Sequence, residues 1–125
     1  MRKSLTVQEM IEQYLETGRV ITETTMTGDY KRGNAMVRKN AKVNEKLSQD
    51  MDLAAQVLSA VMTSDVDQAR SLAACTSLRF GILIEEALCV LKEIEKRTDM
   101  VGFGAEMALK RWRGEVPSGD WRDQQ

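Results

Sequence analysis

The stretch "GFGAEMALKRWRGEVP" (residues 102–117) admits two readings that lead to different folds. As a Gly-x-Gly loop it would be the phosphate cradle of an α/β nucleotide-binding unit. As the opening of an amphipathic run it would be the last helix of an all-helical chain. A dinucleotide fingerprint needs a preceding strand and a third glycine, because the tight turn and the close backbone approach to pyrophosphate depend on both. Met107 stands where the third glycine would, and what precedes is a helical pattern. The two glycines are therefore expected as joints, Gly102 ending the previous helix and Gly104 allowing a close turn. Beyond them Ala105, Ala108, Leu109 and Trp112 recur at helical spacing, with Glu106 and Lys110 as an i,i+4 pair on the wet side. Trp112 continues the inward stripe and is expected to anchor this helix to the core.

Working outward, the same periodicity fills the chain. Ile84, Ala87, Leu88, Leu91 and Ile94 predict a helix over 84–97, and Gly81 sets it apart from Val66, Ala69, Leu72, Ala73, Thr76 and Phe80. Before that, Leu53, Ala54, Val57, Leu58 and Val61 form one apolar face. Each of these two short helices opens on an Asp-x-Asp pair, Asp50/Asp52 and Asp65/Asp67, expected to cap free N–H groups at the positive end of the helix dipole. A second helix is predicted over 30–47, with Tyr30, Gly33, Met36, Val37, Ala41 and Leu47 as its apolar line. The first begins after Thr6, whose spacing to Glu9 is that of a capping box, and continues through Gly18 toward Met26. The expectation is all-α: six helices in antiparallel pairs, as a HEAT-like right-handed superhelix or a compact bundle, over residues 1–116, with 117–125 as a flexible tail.

Composition agrees and narrows the chemistry. The chain has 125 residues, 42% hydrophobic and 30% charged, enough for one soluble core. Aromatic residues at 5% and a single proline fit helices better than a β-sandwich. A net charge of −1 gives no overall pull toward nucleic acid or anionic lipid. The N-terminus lacks the apolar segment of a secretion signal, and with free thiols at Cys75 and Cys89 the expected location is the cytoplasm. Histidine is absent, which removes Ser-His, Cys-His and His-metal chemistry unless a partner supplies the imidazole. Glu85 and Glu86, adjacent on a helix, diverge by about 100° and cannot converge as an acid/base pair. No catalytic, cofactor or metal residue is assigned.

The surface signals are polar and basic. Between Asp29 and Asp50 six cations face three acids, and Arg38, Lys42 and Lys46 fall on one line at four-residue spacing. Such a stripe could follow a phosphate backbone or meet an acidic protein. Asn40 and Asn44 lie close to the apolar line of the same helix, where they must bond across to another helix or face a partner. Arg111 and Arg113 flank Trp112 in a combination typical of binding hot spots.

With these pieces in place, "GFGAEMALKRWRG", "GDYKRGNAMVRKN" and "SLAACTSL" resemble a small bacterial family of HEAT-like helical proteins of unknown function. Its members close on Gly-Phe-x-Ala-Glu-Met-x-Leu-Lys-x-Trp. The segment "TSDVDQARSL" departs from the family, which often carries histidine and proline before that helix. The resemblance implies an α-helical fold without enzymatic activity, and some small proteins of this general kind are taken for immunity proteins that bind and block a toxin. The leading expectation is thus a non-catalytic module that binds another protein, in an immunity or regulatory role, at Arg38, Lys42, Lys46, Asn40, Asn44, Arg111 and Arg113, with a homodimer open. The alternatives are a nucleic-acid accessory using the basic stripe, and a small-molecule binder or enzyme with an interhelical pocket; no membrane role is expected.

Overall fold

The computed structural model describes residues 5–115. They form six helices and, among the described residues, no strand: α1 (Val7–Thr27), α2 (Tyr30–Leu47), α3 (Met51–Met62), α4 (Asp67–Phe80), α5 (Ile84–Ile94) and α6 (Met100–Trp112). The tail expected over 117–125 lies outside the described residues. Local signals set several of the ends. The Thr6–Glu9 capping box is formed in both directions at 2.9 and 3.1 Å, and Gly28 ends α1 in the left-handed region with φ 81°. Asp29, Asp50 and Asp99 cap α2, α3 and α6 by accepting from backbone N–H groups in the first turn.

α4 is the centre of the molecule, packed on α1, α3, α5 and α6. Its composition explains how one helix takes four neighbours: Ala69, Ser71, Ala73, Ala74, Thr76 and Ser77 are all buried and all small. Ser77 and Thr76 return their hydroxyl protons to carbonyls one turn back, so burying them leaves no donor unmet. α4 approaches α1 closely at Gly18, where a Cβ would fall 2.6 Å from the Ala69 nitrogen. Around this crossing Tyr14, Leu47, Leu58, Leu91, Ile94 and Leu109 complete a core with almost no solvent exposure.

Contacts fix the directions of the helices. Thr24 lies beside Gly33 while Tyr14 touches Asn44, so α1 and α2 are antiparallel. Gly18 meets Ala69 and Tyr14 meets Thr76, so α1 is antiparallel to α4 as well. It follows that α2 and α4 run the same way, both against α1. A charged chain pins the other end of the bundle. Glu93 pairs with Arg70 at 3.2 Å, Arg70 with Asp67 at 3.0 Å, Asp67 with Arg97 at 2.8 Å, and Arg97 with Asp99. Arg70 also donates to the Met62 carbonyl, tying the ends of α3, α4, α5 and α6 together.

Several expectations are corrected by this packing. Gly102 and Gly104 are not joints but lie inside α6, because Asp99 caps the helix and starts it at Met100, five residues before the apolar stripe begins at Ala105. Gly102 is needed for closeness: a Cβ there would fall 2.1 Å from the Arg97 carbonyl oxygen, whereas Gly104 has open space. α5 stops at Ile94 and not at Arg97, since Arg97 turns out to serve Asp67 and Asp99. Asp50 caps as expected, but the residue before α4 is Val66, which offers no side-chain cap, and Asp67 is held by arginines instead. Tyr30 and Val37 are exposed, not part of the core line of α2. Trp112 is 45% exposed, so it does not bolt α6 down.

Candidate functional site: a groove across the central helix

Because α2 and α6 flank α4 without covering it, part of α4 remains open between them. Three adjoining hollows follow this strip. One, of about 470 Å³, lies between α4 and α6 and is lined by Cys75, Leu78, Arg79, Ala108, Arg111 and Trp112. The second, of about 280 Å³, lies among α1, α2 and α4, with Thr17, Ile21, Val37, Asn40, Ala41, Asn44, Leu72, Cys75, Thr76 and Arg79 around it. The third, of about 340 Å³, sits at the end of α2 among Ala41, Asn44, Glu45, Ser48, Arg79 and Phe80. Arg79 borders all three, so they make one groove with this guanidinium at its middle.

The groove carries unneutralised positive charge. Of the arginines among the described residues, Arg19, Arg32, Arg70, Arg97 and Arg113 are engaged in ion pairs. Arg38, Arg79 and Arg111 have none, and two of these three line the groove. Arg79 rests its guanidinium 5.4 Å from the centre of the Phe80 ring, which orients it without cancelling its charge. Burial pushes the Cys75 thiol above its ordinary pKa, opposed by the nearby charges of Arg111 and Arg79. A protonated thiol without an adjacent base is a packing group and not a nucleophile. Among the described residues no three Cys, Asp or Glu side chains gather as metal ligands would.

A polar cluster forms the inner wall. The Tyr14 hydroxyl lies against Asn44 Oδ1 and 3.1 Å from Thr76 Oγ1, with Asn40 facing it. Burial raises the phenol's pKa, and these hydrogen bonds lower it by less, so the hydroxyl stays neutral. Asn40, expected either to bond across or to face a partner, is buried, and Asn44 is half-buried and bonds across to α1.

The structure thus divides the seven residues expected to bind a partner. Asn40, Asn44 and Arg111 come together at the groove. Arg38, Lys42 and Lys46 are exposed on the far side of α2 and line no part of it. Arg113, beyond the end of α6, is paired with Glu115. Among the further groove residues, Arg79, Cys75, Thr76 and Leu72 come from α4. In the sequence Thr76 and Leu72 read as core and nothing marks Arg79, because which arginines find a carboxylate depends on tertiary neighbours. Trp112 carries the signal in sequence, as a tryptophan between arginines, but its stripe position favoured the core. No helix among the described residues is long and apolar enough to cross a membrane. Compared with protein-family models, curated proteins and solved structures, the chain finds no match in any of the three.

Proposed function

We propose that this chain is a non-catalytic protein-binding module that receives an acidic, partly apolar segment of a partner protein in the groove between α2, α4 and α6. The observation that carries it is the exposed indole of Trp112 beside two arginines, Arg79 and Arg111, that no carboxylate among the described residues neutralises. Tryptophan and arginine dominate binding hot spots because each couples a large apolar area to a directional polar group. Unpaired guanidiniums on an apolar floor select an acidic segment and reject a basic one. The immunity or regulatory role, the cytoplasmic setting and membership of the HEAT-like family belong to the same proposal, the last resting on the closing motif at Gly102, Phe103, Ala105, Glu106, Met107, Leu109, Lys110 and Trp112.

The exposed stripe of Arg38, Lys42 and Lys46 supports a second reading, in which α2 follows a nucleic-acid backbone. One capture experiment separates the two. Tagged wild type, a groove variant (Arg79→Glu, Arg111→Glu, Trp112→Ala) and a stripe variant (Arg38→Glu, Lys42→Glu, Lys46→Glu) are compared in lysate of the native host. A protein held by wild type and the stripe variant but lost from the groove variant supports the groove. Loss from the stripe variant alone, or nuclease-sensitive capture, overturns it.

A further inference from the structure

The groove lies where the described chain stops. α6 ends at Trp112, and Gly114 then carries the backbone into the left-handed region with φ 74°. The Gly114 N–H donates to the Arg111 carbonyl at 3.1 Å and the Glu115 N–H to the Lys110 carbonyl at 2.9 Å. This paired bonding closes a helix and takes the following chain off its axis. It sets Glu115 beside the last turn of α6, the turn that presents Arg111 and Trp112 to the hollow of about 470 Å³.

Beyond Glu115 the sequence continues "VPSGDWRDQQ" (residues 116–125), outside the described residues. Its composition complements that hollow. The hollow offers Leu78, Cys75 and Ala108 as apolar lining and an exposed indole at Trp112. It also offers two guanidiniums, Arg79 and Arg111, that no carboxylate among the described residues neutralises. The segment carries the chain's only other tryptophan, Trp121, with one carboxylate before it at Asp120 and another after it at Asp123. Arg122 is its single cation, so the segment is acidic overall. Reach is not limiting. From Glu115 to Trp121 an extended chain spans up to about 20 Å, roughly twice the separation of two packed helix axes.

We propose that residues 116–125 fold back into the groove between α4 and α6 of their own chain, with Trp121 against Trp112 and the carboxylates of Asp120 and Asp123 on Arg79 and Arg111. Two indoles in offset contact add to the burial of apolar area, and carboxylate–guanidinium pairs fix the segment's direction. A segment on so short a tether acts at an effective concentration on the order of millimolar, so weak contacts suffice to seat it. The tail is then a built-in competitor, which an acidic, partly apolar segment of another protein must displace. Its docking needs no partner; only the competition rests on the protein-binding reading.

The test is backbone amide NMR of the isotope-labelled full chain, wild type against Trp121→Ala. The amides of Cys75, Leu78, Arg79, Ala108 and Arg111 are expected to differ between the two, by an amount that dilution leaves unchanged. A synthetic peptide of residues 116–125 is expected to move these resonances in Trp121→Ala back toward their wild-type positions. It should bind wild type at least about tenfold more weakly, because the tethered copy is in the way. With Arg79→Met and Arg111→Met together, both at exposed positions, the groove amides are expected to become indifferent to Trp121→Ala. Differences confined to the tail or centred elsewhere would overturn the proposal, as would equal peptide binding by the two chains or a difference that survives the double methionine variant. Differences that fade on dilution would assign the groove to the tail of a second copy and overturn the intrachain contact. None of these readings involves a partner protein, so failure here and failure of the capture experiment are separate results.

Discussion

Two glycines inside helices should respond to the same substitution with opposite signs. Replacing glycine by alanine in a helix interior gains about 0.8–1.0 kcal/mol from backbone entropy and propensity. At Gly104, which is exposed and has nothing within 4 Å of an added Cβ, only that gain operates. Gly104→Ala should therefore stabilise the fold by about 0.5–1 kcal/mol. At Gly18 the new Cβ would fall 2.6 Å from the Ala69 nitrogen, 2.8 Å from its Cβ and 2.9 Å from its Cα. Two of these three atoms are backbone and cannot rotate away, so α1 and α4 must separate by several tenths of an ångström along their crossing. Overpacking of this kind costs about 1–3 kcal/mol, and here it disturbs the helix on which four others pack. Because the entropic gain offsets part of the loss, the net expectation for Gly18→Ala is a destabilisation of about 1–2 kcal/mol. Urea unfolding followed by far-UV circular dichroism reads both variants, with unchanged m-values confirming that the native state is what changed. If Gly18→Ala is as stable as the parent or more so, the close α1–α4 crossing does not organise this fold.

The remaining predictions concern charge and the thiols. The Arg97 guanidinium and the Gly102 N–H hold the Asp99 carboxyl down at about 2, so its contribution to stability is complete above the ordinary carboxyl range near 4 and disappears as pH falls through about 2. Asp99→Asn should accordingly flatten the acid limb of the stability curve between pH 4 and 2; an unaltered limb would remove Asp99 from that account. Arg70, with a side chain only 14% exposed, serves Asp67, Glu93 and the Met62 carbonyl at once, and Arg70→Met should cost about 1.5–3 kcal/mol in urea denaturation. A loss under about 0.5 kcal/mol would mark the network as surface decoration. Cys89 is exposed whereas burial raises the Cys75 thiol, so iodoacetamide at pH 7.5 should alkylate Cys89 well before Cys75, as followed by peptide mass spectrometry. Equal rates would show that Cys75 is open to solvent.

How much of this was legible in the sequence follows from the range of the forces involved. The capping box at Thr6, the break at Gly81 and the cap at Asp50 act within one turn, and they place several helix ends closely. The identity of α4 as the central helix was half visible. Ala73 and Ala74 suggest close packing, but Thr76 and Ser77 look polar until their hydroxyls are seen bonding their own helix. α6 begins earlier than its apolar pattern because a cap outweighs periodicity at a helix start. The groove was the least legible part. Asn40 and Asn44 betray themselves as amides near an apolar line, but nothing local marks Arg79 as unpaired, since its neighbours across the groove come from α1, α2 and α6, far from it in sequence. Trp112 misled for a related reason: its position in the stripe is right for burial, and α6 simply outlasts the surface it packs on.

The central claim is that the groove around Trp112, Arg79 and Arg111, and not the stripe on α2, is the partner surface. Its most direct test is calorimetric titration of the captured partner into wild type, Trp112→Ala and the stripe variant, each first shown to unfold at the parent's urea midpoint. An exposed hot-spot tryptophan should contribute at least about 2 kcal/mol, so Trp112→Ala is expected to weaken binding by about thirtyfold or more while the stripe variant stays within about threefold. Wild-type affinity in Trp112→Ala, or a loss confined to the stripe variant, would contradict it.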